Sequence, residues 1–582
     1  MSTFKLDIPE SKDDVMLIDI HYHRPSKYYD WTDQLQIIYK VISTGEKKVL
    51  NIDNPTMDIY FCKPGYENRV YQEFMPIEHL DKVTVLYRDV ELEIAKRAGE
   101  RYLNEYYDNQ KTGKRQHNKN LHWKYPNVYG SDYDIVEWYK IMWAIHYDND
   151  APKLITRAFF DIEVNIYKLK GFPQDGERPI NVITVADPDE MRSFAFILRE
   201  PMNMKNVTAF EDNLDSFIEE LEAEFTEIYG ELEYLFYFYD NEAEMLADFI
   251  LLLRTLNKDF VEVWNMDFDI PYINARAEVL GFDPTMLWCD PDFDRQTCYY
   301  KKSRFFEVVS RDSKFDVSMK TRFLDQMVLY AAMRKGQGTL RSNNLNAIGK
   351  EELEDEKIDY GEAANLGELQ MMDFPRYIKY AIKDTLMQMG IDNKTGDTEG
   401  LYTRALGNCI SYPNAFKQTK FLENRAYLEY YKQGLIIGNN TNIDYSVPYG
   451  ELPAKEDGED DDESYDGGLV TDPKLNGNNG IEALGGQQSK YVYKDVADMD
   501  FGSMYPNTIN AMNISKNSMI GKLVFDTLPE NMAFNPEEGA IDRGHEFIED
   551  YLTAGPAVLG SKWFNLPTTE QLINGLLEKE EK

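Results

Sequence analysis

The stretch that decides the fold is FFDIEVN, residues 159–165. It lies in an apolar run that begins near residue 154 and predicts a buried strand. Because side chains alternate along a strand, Asp161 and Glu163 leave the same face of the sheet. Two neighbouring carboxylates in an apolar frame repel each other and are costly unless a cation neutralises them. Taken alone, the pair also fits the surface end of a strand, where acidic side chains are tolerated.

Strands and helices alternate after this stretch, which favours an α/β sheet. Residues 298–319 predict a β-hairpin that turns at Ser310–Ser313, and residues 90–107 predict a helix. Further strands and helices are predicted within DQLQIIYKVIS (33–43), KVTVLYRDV (82–90), PINVITVAD (179–187), EYLFYFYDNEAEMLADFILLLRTLN (233–257), DFVEVWNMDFDIPYINARAEVLG (259–281), 370–390 and 415–435.

Length and composition indicate a protein of several domains. A chain of 582 residues with 43% hydrophobic and 13% aromatic residues is too long for one core but can form several. The N-terminus is polar and acidic, and no apolar run approaches the roughly twenty residues of a membrane span. We therefore expect neither a membrane span nor a secretory signal. The cysteines form no CxxC pair and predict reduced thiols in a cytosolic protein: Cys62, Cys289, Cys298 and Cys409.

The net charge of -39 restricts how the chain can bind nucleic acid. Phosphate binding relies on clustered Lys and Arg, so the overall field of the protein opposes it. Either the substrate is not a nucleic acid, or acidic clusters hold metal ions and the basic surface is local or supplied by a partner. The basic stretch at 107–125 is either a phosphate contact or a solvated loop. The acidic run EDGEDDDE (456–463) predicts a solvated surface loop.

Two further segments carry carboxylates that could join the pair in the strand. In WNMDFDIPYINAR (264–276), Asp269 lies at a strand-to-helix turn, and Asp267 is the competing candidate. In YIKYAIKDTLMQM (377–389), Tyr380 and Asp384 are four residues apart and share one helix face. A phenol in that position can orient a water molecule towards a metal bound by the aspartate.

Together these segments predict hydrolysis of a phosphodiester bond by two divalent metals. One ion activates water and the other stabilises the leaving 3′ oxygen, at a separation of about 3.5–4 Å. Oxygen ligands favour Mg²⁺ or Mn²⁺, with two ions in each active site.

The three segments resemble, in order and spacing, the three exonuclease motifs of the proofreading domain of family B DNA polymerases. The resemblance implies that Asp161, Glu163, Asp269 and Asp384 bind the metals and that Tyr380 positions the nucleophilic water. Phage members of the family usually have one more residue in the second motif. We assign Asp269 rather than Asp267 because it directly precedes the sequence IPY.

The stretch DMDFGSMYPN (498–507) resembles the first polymerase motif of the same family, D-x-x-S-L-Y-P-S. The resemblance implies that Asp500 and the carbonyl of Phe501 bind the metals of a polymerase site. A strand-end carboxylate followed by a turn with free backbone amides suits a metal-bound triphosphate. The residues implied to contact the nucleotide are Ser503, Met504 and Tyr505.

The segment SYDGGLV (464–470) is similar to the Y-x-G-G motif of the family, which contacts DNA between the exonuclease and polymerase sites. The resemblance gives DNA-binding roles to Tyr465, Gly467 and Gly468. Glycines at such positions let the backbone approach a phosphate closely. The overall similarity extends from about residue 125 to residue 582 and is nearest to the T-even-like phage type.

Two motifs that a complete polymerase of this family requires are absent from the sequence. These are the fingers motif K-x-x-x-N-S-x-Y-G and the second palm aspartate in a D-T-D-S turn. We therefore expect a split polymerase, in which a second polypeptide supplies the remaining palm, the fingers and the thumb, although a truncated chain is the alternative. The implied partners are primer-template DNA, dNTP, this second chain and, through it, a sliding clamp, in the cytoplasm of a bacterial host.

The resemblance also implies a fold and a domain arrangement. We expect an α/β multidomain protein with an α+β N-terminal domain, an RNase-H-like exonuclease domain built on a mixed sheet, and a partial ferredoxin-like palm. The expected boundaries are 1–153 for the N-terminal domain, 154–397 for the 3′→5′ exonuclease, 398–437 for a segment returning to the N-terminal domain, 438–557 for the first part of the palm, and 558–582 for the start of the fingers. Two other functions stay open: a stand-alone or truncated DNA 3′→5′ exonuclease, and a non-catalytic scaffold.

Overall fold

The computed structural model describes most of the chain up to residue 439. The described residues are 6–24, 32–68, 74–114, 118, 121–147, 155–171, 173, 176–337, 340 and 342–439. The predicted polymerase motif and the predicted Y-x-G-G motif lie outside the described residues. The same holds for the predicted palm and fingers beyond residue 439 and for the site residues assigned there: Tyr465, Gly467, Gly468, Asp500, Phe501, Ser503, Met504 and Tyr505.

The first part of the chain forms small antiparallel sheets. Its strands are β1 (Val15–His23), β2 (Gln34–Val41), β3 (Lys47–Asp53), β4 (Thr56–Cys62), β5 (Phe74–Pro76), β6 (Leu80–Leu86) and β7 (Val128–Tyr129). One sheet has the order β1-β2-β3 and another the order β6-β4-β7. Apolar residues of these strands contribute to a common core, in which Ile37 and Ile59 are fully buried.

Helices follow and complete this core. They are α1 (Val90–Ala98), α2 (Glu100–Lys111), α3 (Leu121–Lys124) and α4 (Ile135–His146). The helical pattern predicted over 90–107 is interrupted at Gly99, which has a φ of 113°. Residues with a Cβ rarely adopt that conformation, so the chain changes direction there and two helices form instead of one.

A mixed six-stranded sheet dominates the next part of the chain. The strands of this part are β8 (Arg157–Val164), β9 (Ile180–Asp187), β10 (Arg192–Leu198), β11 (Glu233–Tyr239), β12 (Phe260–Val263), β13 (Cys298–Lys301), β14 (Lys314–Val317) and β15 (Arg322–Asp325). The sheet has the order β11-β10-β9-β8-β12-β15. Strands β8, β9 and β10 pair antiparallel, whereas β12 runs parallel to both β8 and β15. The α/β prediction and the mixed sheet are confirmed.

Helices pack on both faces of this sheet. The helices from this point onwards are α5 (Met204–Asp212), α6 (Leu214–Tyr229), α7 (Glu242–Leu256), α8 (Met266–Val279), α9 (Pro284–Trp288), α10 (Gln326–Met333), α11 (Leu345–Leu353), α12 (Leu366–Met372), α13 (Phe374–Thr395), α14 (Asp397–Gly407) and α15 (Gln418–Lys432). Phe160 and Ile162 belong to the core that includes α7 and α8, whereas Phe159 belongs to the opposite core, which includes α6 and α13. Strand β8 therefore sends side chains into two different cores.

The predicted hairpin exists, but its turn was placed wrongly. Strands β13 and β14 pair antiparallel from Cys298↔Val317 to Lys301↔Lys314. The connection is therefore residues 302–313 and contains a short 3₁₀ helix at Val308–Ser310, rather than a tight turn at Ser310–Ser313. The Ser303 hydroxyl accepts a hydrogen bond from the backbone amide of Asp312, which closes this long loop at its base.

Later segments return to the first sheets. Strand β16 (Leu435–Ile437) pairs antiparallel with β5. Lys47 of β3 is fully buried and donates hydrogen bonds to the carbonyls of Lys258 and Lys320. Its Nζ atom lies 3.7 Å from the carboxylate of Asp259, which also pairs with Lys40. A buried ionic contact therefore joins β2 and β3 to the six-stranded sheet, next to the start of β12.

All four cysteines are free thiols, as the absence of a CxxC pair predicted. Among the described helices, none combines the length and apolarity needed to cross a bilayer.

Candidate metal centre

Three of the predicted carboxylates meet at one place. Asp161 and Glu163 lie on β8, Asp384 lies on α13, and one oxygen from each falls within 4.8 Å of the others. Glu163 and Asp384 are buried, and Asp161 is half-buried. The alternation of the strand brings the first two together, as the sequence predicted. The third arrives because α13 packs across the same face of the sheet.

The chain fixes α13 in this position by local and tertiary contacts. The side chain of Asp373 caps its N-terminus by accepting from the backbone amide of Arg376, and Pro375 occupies the first turn. In the middle of the helix, the Thr184 hydroxyl on β9 donates to the carbonyl of Ala381. That bond holds the part of the helix that contains Tyr380 and Asp384 directly against the sheet.

The two candidate aspartates of the second segment have different surroundings. Asp269 is buried in the first turn of α8, near Asp161, and accepts a hydrogen bond from the backbone of Ile162. Asp267 instead accepts from the hydroxyls of Tyr300 and Ser313, both at 2.6 Å. Asp267 therefore faces the β13–β14 hairpin, and Asp269 faces the carboxylates on β8.

Burial and mutual repulsion disfavour ionisation of all four carboxyl groups at this cluster when no cation is bound. Burial and the Asp384 carboxylate raise the pKa of Asp161 to about 7. Burial and the Asp161 carboxylate also raise the pKa values of Glu163 and Asp269 well above their ordinary range. Burial raises the pKa of Asp384, although Lys357 opposes the shift. Each carboxyl group thus retains its proton more strongly than in water, because desolvation and neighbouring negative charge both disfavour ionisation.

Lys357 is a residue of this site that the sequence motifs did not indicate. Its Nζ atom donates to Asp384 at 2.5 Å and to the Tyr380 hydroxyl at 3.2 Å. Although burial opposes its charge, Asp384 and Asp161 raise the pKa of Lys357. It lies in the segment between α11 and α12, where no periodic pattern in the sequence distinguishes this lysine from the others. Only the packing of that segment against α13 reveals it.

Tyr380 lies where the sequence predicted, one turn before Asp384 on the same face of α13. It is buried, and burial together with the Asp384 carboxylate raises its pKa well above the ordinary value. The phenol stays protonated and can donate a hydrogen bond to a carboxylate or a water molecule. The Lys357 ammonium lies 5.1 Å from the centre of its ring, which further restrains the side chain.

The residues present fit a divalent cation. Asp384 Oδ1 is buried and has no hydrogen-bond partner among the described residues, although Oδ2 of the same carboxylate is paired with Lys357. This unpaired buried oxygen, together with the carboxylates of two other acidic side chains, forms a set of oxygen donors. Mg²⁺ and Mn²⁺ prefer such oxygen donors. Asp161, Glu163 and Asp384 would hold the metal. Asp269 lies outside this group of three, although the Asp161 carboxylate acts on it electrostatically.

A cavity of about 500 Å³ adjoins the end of β8. The segment after the strand contributes Tyr167 and Lys168, and α12 contributes Met371 and Met372. Helix α12 packs closely there, because a Cβ added at Gly367 would lie 2.9 Å from the backbone of Ile166. The cavity thus offers an aromatic ring and a cation that are close in sequence to Glu163, and two flexible thioethers from α12.

A buried hydrogen-bond network holds the wall of this cavity. Gln370 of α12 donates to Asn165, which directly follows β8, and accepts from Asn181 on β9. Asn181 in turn accepts from the Tyr377 hydroxyl on α13. Because each of these bonds crosses between different elements, α12 and α13 are fixed to the strands on which the site is built.

The mixed sheet with helices on both faces is the RNase-H-like arrangement that the sequence predicted for this part of the chain, and the carboxylate cluster lies on it. Residues 116–346 match the family model described as the exonuclease domain of DNA polymerase family B. The chain is also 24% identical, over 396 residues, to a DNA-directed DNA polymerase from Escherichia phage RB69.

That alignment covers 65% of this chain and 37% of the phage protein, so the chain spans little more than a third of the relative. Residues 116–346 are therefore similar to the exonuclease domain of family B DNA polymerases, and the chain resembles the N-terminal part of a phage-type family B DNA polymerase. Asp384 and Tyr380 lie beyond the residues that the family model matches, and it is the packing of α13 that brings them to Asp161 and Glu163.

Proposed function

We propose that this chain is a 3′→5′ exonuclease that removes nucleotides from the end of a DNA strand. The observation that carries the proposal is the convergence of Asp161, Glu163 and Asp384 within 4.8 Å. Asp161 and Glu163 belong to the residues that match the family B exonuclease model. Hydrolysis breaks the bond between phosphorus and the 3′ oxygen. The products are a nucleoside 5′-monophosphate and a strand shortened by one nucleotide with a new 3′ hydroxyl.

Two bound divalent ions, Mg²⁺ or Mn²⁺, would supply activation of the attacking water and stabilisation of the leaving oxygen. The side chains of Asp161, Glu163, Asp269 and Asp384 would hold them. Because these carboxylates repel one another, they gain interaction energy when cations bind, and the site is thereby poised for metal.

Tyr380 and Lys357 act on the water and on the phosphate. The protonated Tyr380 hydroxyl orients the water, since it lies beside both Lys357 and the Asp384 carboxylate. The Lys357 ammonium can exchange its contact with Asp384 for a phosphate oxygen of the substrate once cations balance the carboxylates. A charge-assisted hydrogen bond of this kind stabilises the negative charge that develops during hydrolysis.

The cavity beside β8 suits the end of an unpaired strand. Its Tyr167 ring offers a stacking surface, Lys168 a phosphate contact, and the methionines an adaptable apolar wall. Because these contacts are few and local, they are compatible with a chain whose net charge is -39.

The decisive experiment is a degradation assay on a primer with a mismatched 3′ end, labelled at its 5′ end. With Mg²⁺ we expect a ladder that shortens one nucleotide at a time and releases nucleoside 5′-monophosphates. The Asp161→Ala, Glu163→Ala double variant should leave the primer intact, and EDTA should have the same effect. Absence of degradation by the wild type, or internal cuts instead of a ladder, would refute the proposal.

We further propose that the exonuclease serves a polymerase whose site is completed by a second polypeptide. The resemblance of residues 498–507 to the first polymerase motif and the relationship to a phage DNA polymerase support this. Asp500 and the Phe501 carbonyl would then bind the polymerase metals, in a replication complex in the host cytoplasm. The expected partners are primer-template DNA, dNTP and, through the second chain, a sliding clamp.

Co-expression tests the polymerase proposal separately from the exonuclease. A complex of this chain with a chain carrying the missing palm and fingers motifs should extend a primer, and Asp500→Ala should abolish extension while leaving degradation unchanged. If the two chains neither associate nor extend a primer, the stand-alone exonuclease is the correct function.

A further inference from the structure

A second cavity has a volume of about 450 Å³. Four parts of the chain line it: strand β1, the start of α8, the region from the β13–β14 hairpin to just after α10, and the segment from α14 to α15. None of Asp161, Glu163, Tyr380, Asp384 or Lys357 is among its lining residues. Its size is within the range of about 300–1,000 Å³ that small-molecule sites occupy.

The charge of this cavity is opposite to that of the chain. Its lining includes five basic side chains and three acidic ones, although the whole chain has a net charge of -39. The basic residues are Arg311, Lys314, Arg322, Lys335 and Lys417, and the acidic residues are Asp19, Asp312 and Asp325. A local concentration of cations in so acidic a protein favours an anionic ligand.

Three of the five cations already have partners within the protein. Arg322 lies 3.5 Å from the carboxylate of Asp19, Lys314 lies 2.7 Å from that of Asp316, and Arg311 lies 3.8 Å from that of Asp267.

The other two cations have no such partner. Lys335, just after α10, and Lys417, just before α15, are exposed and make no ion pair with any residue in the described part of the chain. The cavity therefore presents two ammonium groups that have no ion-pair partner among the described residues.

The walls between these cations are aromatic and firmly held. Tyr412 donates a hydrogen bond to the carbonyl of Ile18 and packs edge-on against Phe260. Phe315 packs edge-on against Phe323, which also lines the cavity. At the rim, the Phe305 side chain is 58% exposed and can turn to cover a planar ligand. A flat aromatic group would find both a rigid wall and an exposed ring here.

The cavity also contains buried polar atoms with no hydrogen-bond partner. His21 Nε2 and Arg322 Nε are both buried and make no hydrogen bond among the described residues, but each lies 3.5 Å from the carboxylate of Asp19. Asp19 therefore already offsets the charge of Arg322, and the cations of the lining without an ion-pair partner in the described part of the chain are Lys335 and Lys417.

We propose that this cavity binds a nucleoside 5′-phosphate, with its phosphate between Lys335 and Lys417 and its base against Tyr412 and Phe315. The ligand combines the two features that the cavity selects: a negative charge and a planar ring. Either a free mononucleotide or an unpaired nucleotide unit of a DNA strand has this chemistry. The site needs no metal, and its lining includes none of Asp161, Glu163, Asp269 and Asp384.

The test measures binding of dAMP to the full chain by isothermal titration calorimetry in EDTA. The Asp161→Ala, Glu163→Ala double variant serves as the background, so that the carboxylate cluster cannot contribute. We expect a dissociation constant on the order of 10–100 µM for a well-placed ligand of this size. Inorganic phosphate lacks the base and deoxyadenosine lacks the phosphate, so each should bind at least about tenfold more weakly than dAMP.

Single Lys335→Gln and Lys417→Gln substitutions should each weaken dAMP binding by about fivefold to tenfold, because each removes one charge-assisted contact. Lys205→Gln, which removes an exposed lysine from α5, is the matched control and should bind dAMP like the background protein. Since all three lysines are exposed, the thermal unfolding midpoint should be unchanged in every variant.

A second titration, with pentadeoxyadenylate in place of dAMP, distinguishes the two sources of the ligand. Binding of both dAMP and the oligonucleotide, with the same loss in the two lysine variants, supports an unpaired nucleotide unit. Binding of dAMP alone supports a free mononucleotide. The proposal is overturned if dAMP binds no more tightly than phosphate and deoxyadenosine, or if neither lysine substitution changes its affinity.

Discussion

Replacing Asp161 with asparagine should stabilise the metal-free protein at high pH while removing its function. The substitution keeps the size and shape of the side chain but removes one charge from a group of four carboxylates. In the folded chain, burial and Asp384 raise the pKa of Asp161 from 3.8 to about 7. Each unit of pKa shift corresponds to about 1.4 kcal/mol, so the unfavourable free energy of ionising Asp161 in the folded state is at most about 4 kcal/mol.

The sign of the effect follows from proton linkage. The unfolded chain loses the Asp161 proton near its ordinary pKa of 3.8, whereas the folded chain keeps it until about pH 7. Stability of the wild type without metal should therefore fall as the pH rises between these values, and the full cost is present above about pH 7. The asparagine variant would avoid this cost but would also lose the attraction to Lys357, so we expect a net gain of about 1–3 kcal/mol at about pH 8.

Urea-induced unfolding monitored by circular dichroism measures the difference. In EDTA, Asp161→Asn should unfold at a higher urea concentration than the wild type at about pH 8, and the difference should nearly vanish at about pH 4. Mg²⁺ at about a hundred times its dissociation constant should stabilise the wild type by about 2.7 kcal/mol and the variant much less.

Asp267→Asn is the matched control. Asp267 accepts hydrogen bonds from Tyr300 and Ser313, so its neutralisation should lower stability and leave the response to Mg²⁺ intact. If Asp161→Asn is instead less stable than the wild type in EDTA at about pH 8, or if Mg²⁺ stabilises both proteins equally, the four carboxylates do not form a repulsive metal-binding cluster.

Three further predictions concern individual side chains of the site. Lys357→Met should lower the rate of 3′-end degradation by about a hundredfold because a phosphate contact is lost, while Mg²⁺ still stabilises the protein; unchanged degradation kinetics would contradict its role. Tyr380→Phe should reduce kcat by roughly tenfold to a hundredfold with little change in KM, since only the orientation of water is affected; a change confined to KM would argue for a binding role. Asp269→Asn should abolish degradation whereas Asp267→Asn should retain most of it, and the reverse result would show that the second-segment ligand is Asp267.

Local periodicity was enough to predict parts of the fold and of the candidate site. The period of two along a strand places Asp161 and Glu163 on one face, and the period of 3.6 along a helix places Tyr380 on the same face as Asp384. Both placements depend only on backbone geometry within a few residues, so they could be derived before any tertiary contact was known. The alternation of strands and helices likewise predicted the α/β sheet. The turn of the β13–β14 hairpin was missed, because the connection at 302–313 is closed by side-chain contacts such as that of Ser303 rather than by a compact turn motif.

The tertiary structure decided which separate segments meet. Asp267 and Asp269 are only two residues apart. The packing of α8 against the hairpin and β8 places Asp267 beside Tyr300 and Asp269 near Asp161. Lys357 reaches Asp384 because the segment between α11 and α12 folds over α13, a contact between residues with no shared local pattern. The cationic cavity depends likewise on four separate parts of the chain. Local sequence sets the direction of a side chain within its own element, whereas the distance between elements depends on how their apolar faces pack.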